Sequence, residues 1–92
     1  MPRPRLQRKI KENPFVTFYK PQGIPLRELE SVELTLEEWE ALRLKNLFEL
    51  EQNDIAKKMG TSQSTVQRIL KSAQQKIGTA IVKGMAIKIN KQ

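Results

Sequence analysis

The feature that most constrains this chain is a run of residues, 52–71, whose spacing is typical of a helix-turn-helix. Ala56 is followed four residues later by Gly60 and, six residues further on, by Val66. Ala56 is small enough for a second helix to cross closely over it, and Gly60 can adopt the positive φ of the turn. Further apolar positions are Ile55, Met59 and Ile69. The spacing therefore predicts two helices packed on one small hydrophobic core.

The outer face of the second helix carries the side chains expected to bind a ligand. Val66 and Ile69 point inward, so amides, hydroxyls and cations remain on the opposite face. A helix of that composition fits the major groove of double-stranded DNA. The residues predicted to read base edges are Gln63, Ser64, Gln67 and Arg68, and those predicted to contact phosphates are Lys57, Lys58, Thr61, Ser62, Thr65 and Lys71. Arg68 has two open interpretations, a bond to guanine or a bond to phosphate.

The net charge of +7 is unevenly distributed along the 92 residues. Residues 1–20 hold six Lys or Arg and one Glu, residues 21–54 hold three against nine acids, and residues 55–92 hold eight and no acid. The three segments therefore carry net charges of +5, −6 and +8. Two basic ends indicate contact with phosphate, whereas the acidic middle indicates a part that packs elsewhere.

Composition excludes several functional classes. A chain of 92 residues allows one domain with a modest core. Cysteine and histidine are absent, which excludes disulfides, zinc fingers and thiol or imidazole catalysis, and we expect no metal and no cofactor. No apolar run has the length of a membrane span and no secretory signal is present, so we expect a cytoplasmic protein without membrane contact. No acid follows Asp54, and neither a phosphate-binding glycine loop nor a nucleophile elbow occurs, so we expect no enzymatic activity.

We predict a mainly α fold with short β-strands. Its centre is a three-helix helix-turn-helix core with a long recognition helix, and the terminal segments form a small sheet. One structural domain is expected in four segments: a basic extended arm (1–14), short strands with a Pro/Gly loop (15–34), the helix-turn-helix domain (35–84), and a C-terminal strand and tail (85–92).

The predicted strands cover residues 15–19, 31–34 and 86–90. The first is rich in aromatic and β-branched residues, and the other two alternate polar with apolar side chains. Pairing within one chain and pairing across a dimer are both open. The arm has two interpretations as well, because Arg3 and Arg5 could enter a minor groove or lie on a solvated tail.

The first helix has a strong local start signal. Thr35 and Glu38 form a capping box, and Leu34 and Trp39 stand where a hydrophobic staple would place them. We expect Trp39 to be a core residue, with a ligand platform as the alternative. The expected core contacts of the helix are Trp39, Leu42, Leu47 and Phe48.

The next two helices follow from capping and periodicity. The second helix spans about Glu51 to Met59 with a weak N-cap, and the recognition helix starts after Ser62 and ends near Gly84. One apolar stripe runs through Ile69, Leu70, Ala73, Ile77, Ala80 and Ile81. It could serve the core of the monomer or a partner's matching face. Because the domain is small, we favour dimer packing and expect a homodimer.

Motifs along nearly the whole chain resemble one known family. They are Met1-Pro-Arg-Pro-Arg, Phe18-Tyr-Lys-Pro-x-Gly-Ile-Pro, Leu29-Glu-x-Val-x-Leu, Glu40-Ala-Leu-Arg-Leu, Lys58-Met-Gly-Thr-Ser-x-x-Thr-Val-x-Arg-Ile and Gly84-x-Ala-Ile-x-Ile. Together they are similar to an uncharacterised family of small prokaryotic predicted DNA-binding proteins that begin with Met-Pro-Arg-Pro-Arg. Residues 40–70 also resemble the domain of bacterial sigma factors that reads the −35 promoter element. The first resemblance implies DNA binding without an assigned biological role.

The chain departs from that family in three respects. Gln63 follows the recognition-helix serine where the family usually has Arg, which changes the expected base from guanine to adenine. Glu49 and Leu50 replace a frequent Gly-Leu before the second helix, which affects the expected tightness of that connection. Longer relatives carry cysteines or an appended domain, and this chain has neither, so no metal-sensing role is expected.

The predicted function is sequence-specific binding of double-stranded DNA by a transcriptional regulator. The alternative is a protein-interaction module of the transcription machinery whose helix-turn-helix does not itself read DNA. In that alternative a docking surface is supplied by Glu28, Glu30, Glu33, Glu37, Glu38 and Glu40. RNA binding is less favoured, since a helix-turn-helix fits the major groove of B-form DNA better than the deep, narrow major groove of RNA.

Overall fold

The computed structural model describes Pro14 and residues 17–90. In that part of the chain the helices are α1 (Leu36–Leu42), α2 (Gln52–Met59) and α3 (Gln63–Lys83), and the strands are β1 (Phe18–Tyr19), β2 (Ser31–Leu34) and β3 (Ala86–Ile89). A 3₁₀ turn at Leu26–Glu28 precedes β2, and a π turn at Arg43–Leu47 continues α1. The predicted mainly helical class with a small sheet is confirmed. The arm residues Arg3 and Arg5, and residues 15–16 of the first predicted strand, lie outside the described residues.

The three strands form one sheet in the order β1-β3-β2. β3 is central: it pairs antiparallel with β1, where Phe18 lies opposite Lys88, and parallel with β2, where Val32 lies opposite Ile87. Backbone bonds of 2.8 Å from the Ala86 N–H to Glu30 and 2.9 Å from the Asn90 N–H to Leu34 extend the parallel pair at both ends. The strands therefore pair within one chain, which answers the question that the sequence leaves open.

The predicted start of α1 is confirmed. The Thr35 hydroxyl accepts a 3.1 Å bond from the Glu38 N–H, and the Glu38 carboxylate accepts a 2.8 Å bond from the Thr35 N–H. Trp39 is half-buried and packs against the cluster that contains Leu34. The core interpretation of Trp39 is thus confirmed.

Two of the core contacts expected for the first helix, Leu47 and Phe48, are wrong. The helix widens into the π turn, in which the Phe48 N–H bonds to the Arg43 carbonyl at 3.3 Å, and Glu49 then takes a positive φ of 57°. This path turns Leu47 and Phe48 outward, so both are exposed and neither is the core contact we expected. The Phe48 ring instead lies beside the Arg43 guanidinium. The central carbon of the guanidinium is 5.3 Å from the centroid of the ring, which is the distance of a cation–π contact.

Two hydrophobic clusters hold the elements together. The first joins α1, the π turn, α2 and the start of α3; it contains Ala41, Leu44, Ile55, Ala56, Met59, Val66, Ile69 and Leu70. The second joins the sheet to the middle of α3; it contains Leu34, Ala73 and Ile89, with Ile77 packed against it. Most of the predicted apolar stripe is therefore buried in the monomer, and only Ile81 of that stripe is exposed. The interpretation of the whole stripe as a dimer face is wrong.

Glu38 connects the first and last helices through polar bonds. Its buried carboxylate accepts a 2.6 Å bond from the Ser72 hydroxyl and a 2.9 Å bond from the Lys76 ammonium, both on α3. Lys76 also donates to the Glu33 carbonyl at 2.7 Å. Burial alone would raise the pKa of Glu38, but the bonds from Ser72, Lys76 and the Thr35 N–H outweigh it and hold the pKa below its ordinary value.

A second buried carboxylate is neutralised within its own helix. Glu40 is 1% exposed and accepts two bonds of 2.9 Å from the guanidinium of Arg43, one turn later. A paired, bidentate geometry of this kind is what makes a buried charge tolerable. Glu38 and Glu40 thus serve the interior, and they cannot belong to the exposed acidic docking surface considered from the sequence.

We expect Glu38→Gln to lower the free energy of unfolding by about 2 kcal/mol, because the neutral amide loses charge-assisted bonds to Ser72 and Lys76. The contribution of Glu38 is present above the pKa of an unfolded glutamate and is lost as pH falls through its lower folded pKa. Chemical unfolding at neutral and acidic pH measures both effects. The exposed Glu30→Gln is the matched control, and an equal loss in the two variants at neutral pH would contradict this role.

Candidate nucleic-acid interface

The turn between α2 and α3 has the geometry that the spacing predicts. Gly60 ends α2 with φ 71° and ψ 39°, in the left-handed region that favours glycine. The Thr61 N–H bonds to the Ala56 carbonyl at 2.9 Å, and the Gly60 N–H bonds to the Lys57 carbonyl at 3.3 Å. These two bonds make a Schellman-type end, which reverses the chain within three residues.

The packing under the turn also agrees with the sequence. Ala56 is 5% exposed and Val66 is fully buried, so the close crossing and the inward residue both occupy the positions expected of them. Ile55 and Met59 are fully buried beside them. The orientation of α3 relative to α2 is therefore fixed by tight apolar contacts, and its outer face is free to bind.

Three hydroxyl groups gather at the start of α3. The Ser62 hydroxyl accepts a 3.2 Å bond from the Thr65 N–H, which confirms Ser62 as N-cap. It also lies 2.9 Å from the Thr65 hydroxyl and 3.2 Å from the Ser64 hydroxyl. Hydroxyls, together with the helix N-terminus, form a surface that can donate to an anionic oxygen.

The structure places the predicted base-reading residues on one exposed face. Gln63, Ser64, Gln67 and Arg68 are all exposed at helical spacings of three and four residues on α3. Of the predicted phosphate contacts, Lys57, Lys58, Ser62 and Lys71 are exposed, and Thr61 and Thr65 are half-buried. The same exposed face continues through Gln74 and Gln75, which were absent from the predicted binding residues. Their spacing of three and four residues from Lys71 could have placed them on this face.

Ion pairing distinguishes two groups among the described cations on α2, α3 and β3. Lys76 and Lys88 on α3 and β3 pair with Glu38 and Glu33 at 2.9 and 3.7 Å. Among the residues that the structure describes, no ion pair engages Lys57, Lys58, Arg68 or Lys71. The acidic middle of the chain therefore neutralises the sheet side of α3, and the positive charge beside the turn is left uncompensated.

Charge also restricts which end of α2 can approach an anion. Glu51 at the N-cap and Asp54 in the first turn are exposed, and Lys57 and Lys58 are exposed in the last turn. A phosphate is repelled at the first end and attracted at the second.

Within the described part of the chain, no group of three acidic side chains is placed to hold a metal ion. No described helix is long and apolar enough to cross a bilayer.

Comparison with known proteins places the chain in a family. The family described as "Protein of unknown function DUF134" matches residues 1–91. The chain belongs to the DUF134 family. A UPF0251 protein of Moorella thermoacetica is 51% identical over 89 residues, which are 97% of this chain and 60% of that protein. A UPF0251 protein of Dehalococcoides mccartyi is 52% identical over 89 residues, 97% of this chain and 76% of that protein.

A third relative is somewhat less similar to the chain. A UPF0251 protein of Methanosarcina acetivorans is 45% identical over 87 residues, which are 95% of this chain and 78% of that protein. The chain thus spans from three-fifths to about three-quarters of the length of these curated relatives. No solved structure matches the chain. The family membership predicted from the motifs is confirmed.

We expect Gly60→Ala to destabilise the protein by about 1–2 kcal/mol, since a Cβ is penalised at the positive φ of the turn. Gly60→Asn should lose less, because asparagine tolerates the left-handed region better than alanine. Thermal unfolding of the two variants gives the comparison. If alanine and asparagine are equivalent to glycine, the turn does not impose this conformation in solution.

Proposed function

We propose that this protein binds double-stranded DNA in a sequence-specific way and acts as a transcriptional regulator, with α3 as the recognition helix. The observation that carries the proposal is the face of α3 beside the Gly60 turn. It combines exposed amides with cations that no described acid neutralises. Support also comes from the resemblance of residues 40–70 to the promoter-reading domain of sigma factors.

Base recognition would begin at the N-terminal end of α3. Gln63 and Ser64 are in the first turn, where a helix entering the major groove comes closest to base edges. In a bidentate pair with adenine, the glutamine NH₂ group donates to N7 and the glutamine carbonyl oxygen accepts from the N6 amine. Both atoms must be free for this, and Gln63 is exposed. Gln67 and Arg68 follow one turn later on the same face. Arg68 has the length to reach either guanine or a phosphate.

Phosphate contacts would fix the position of α3 on the duplex. Lys57 and Lys58 at the end of α2, and Lys71 on α3, lie on either side of the predicted base-reading residues along the chain. The Ser62 hydroxyl already caps Thr65, so its contribution to a phosphate contact would come through the helix N-terminus. Such contacts give affinity that falls with salt and little sequence preference.

The protein-interaction alternative differs in its salt dependence. Binding to duplex DNA releases condensed counterions and collapses as salt is added, whereas binding to a protein through a mainly apolar contact does not. A titration of random duplex DNA at several salt concentrations therefore discriminates the two functions. Affinity that is unchanged by salt, or absent at low salt, would contradict the DNA proposal.

We expect Gln63→Ala to relax base preference at one position of the site and to weaken the best site by about 1–3 kcal/mol, because one bidentate pair is lost. Selection from random duplex DNA with wild type and variant shows the change in motif. Gln75→Ala, three turns further along the exposed face of α3, is the matched control and should keep the wild-type motif. Identical motifs from wild type and Gln63→Ala would remove Gln63 from the base-reading set.

We expect Lys58→Gln to weaken binding to every duplex alike and to reduce the slope of log K against log salt by about one unit, since one released counterion is lost. Lys83→Gln removes an exposed cation from the other end of α3 and should leave the slope unchanged. Affinity measured across a salt series gives both slopes. A loss confined to one sequence would show that Lys58 reads bases and does not hold a phosphate.

A further inference from the structure

Three glutamine side chains of α3 lie on one line that runs parallel to the helix axis. At 3.6 residues per turn, the directions of Gln67 and Gln74 differ from that of Gln63 by only about 40° and 20°. α3 is a continuous helix over Gln63–Lys83, so this spacing holds along its length. All three side chains are exposed, and we call them the glutamine row.

The carboxamides of the glutamine row are free to bind a ligand. Among the residues that the structure describes, no hydrogen bond engages any of the three. Other polar side chains of α3 are used inside the protein, since Ser72 and Lys76 both bond to the Glu38 carboxylate of α1. The row therefore keeps its donors and acceptors for a partner outside the chain.

Uncompensated positive charge accompanies the row as far as the turn before Gln74. Arg68 and Lys71 are exposed beside it, and no described acid pairs with either cation. The next cation of α3, Lys76, is paired with Glu38 at 2.9 Å. Lys71 is only about 4.5 Å from Gln74 along the axis, so a phosphate held by Lys71 brings the DNA within reach of Gln74.

The position that follows Gln74 on this line is a glycine. Gly78 is inside α3, where glycine is less favourable than alanine, and a Cβ built on it meets no atom within 4 Å. The packing of the protein itself therefore gives no reason for the missing side chain. A glycine at this point lets the backbone of a large ligand pass close to the helix beyond Gln74.

We infer that the glutamine row reads adenines in a single major groove, so that Gln74 is a base-reading residue beyond the first two turns of α3. This inference rests on the proposed function and names the class of DNA site, a short run of base pairs with an adenine at each end. Each free carboxamide of the row can form the bidentate pair that distinguishes adenine from the other bases.

The length of the row fits one groove. Gln63 and Gln74 are about 16.5 Å apart along the axis of α3. At 3.4 Å per base pair, the bases that they read are at most about five steps apart, and an inclined helix brings them nearer in the DNA sequence. Continuous helices of basic regions cross the major groove in this way. Gln75 lies about 100° around the helix from Gln74, so it points away from the bases that the row reads.

Selection from random duplex DNA tests the row. Gln74→Ala should lose the preference for adenine at one base pair, within about five steps of the pair affected by Gln63→Ala, and bind the wild-type site about 5- to 150-fold more weakly. Gln75→Ala removes the neighbouring exposed carboxamide and should keep the wild-type motif and affinity. Circular dichroism and thermal unfolding verify that the variants fold.

A change of base tests the assignment in the opposite direction. Gln74→Arg should convert the preferred base at that position from adenine to guanine, because arginine pairs with guanine O6 and N7. A side chain that only stabilises the helix has no such effect on the selected base. Retention of adenine by a folded Gln74→Arg variant overturns the inference.

Replacement of one DNA atom tests the direct contact. 7-Deaza-adenine has a C–H group in place of N7, so it lacks the acceptor for the glutamine NH₂ group and still pairs with thymine. At the position assigned to Gln74 it should weaken binding of the wild type by about 2- to 10-fold and leave the affinity of Gln74→Ala unchanged. An equal loss in both proteins would show that Gln74 does not contact this base, and it would overturn the inference.

The results separate the glutamine row from the proposed function. A motif that Gln63→Ala alters and Gln74→Ala leaves unchanged confines base reading to the first two turns, and it overturns this inference alone. Weaker binding of Gln74→Ala to every duplex alike would place Gln74 on a phosphate and has the same consequence. A wild type that selects no motif from random duplex DNA overturns both the row and the sequence-specific function.

Discussion

The carboxylate of Glu38 is the contact on which the arrangement of the helices depends. It receives the Thr35 N–H at the start of α1 and the Ser72 and Lys76 side chains on the middle of α3, so one group fixes two helices relative to each other. Lys76 continues the connection to the Glu33 carbonyl on β2. Apolar contact is non-directional, whereas a satisfied polar network in a core admits one orientation. This network therefore fixes the middle of α3 against α1, and the apolar contacts with α2 hold its first turns.

The same network explains how an acidic segment and a basic segment share one small domain. Acids of the middle segment are used on the sheet side of α3, where Glu38 and Glu33 pair with Lys76 and Lys88. The cations beside the α2–α3 turn have no such partners among the described residues. Internal neutralisation on one side therefore concentrates positive potential on the other side, where the proposal places DNA.

Local signals predicted the parts of the fold that local bonds determine. The capping box at Thr35, the N-cap at Ser62 and the glycine turn at Gly60 each depend on residues within one or two helical turns. The outward path of Phe48 was not predicted, because the π turn has no periodic signature and forms where Glu40 and Arg43 are paired against the core. Strand pairing was also left open, since the partners of a parallel pair are set by tertiary contacts. Helical spacing was enough to name the exposed candidate residues. It could not show which cations form ion pairs, because Lys76 and Lys88 pair with acids that are distant in the sequence.

The parallel pairing of β2 with β3 determines when the sheet can be completed. Ser31 lies opposite Ala86, and all three helices are in the chain between them. Closing a loop of that length costs entropy before the pairing returns any free energy, so the strand pair raises the contact order of an otherwise local, helical chain. During synthesis the helices can emerge and collapse while β2 still lacks its neighbour. The central strand of the sheet is therefore the last of the described elements to be synthesised, and the sheet can be completed only after all three described helices have been made.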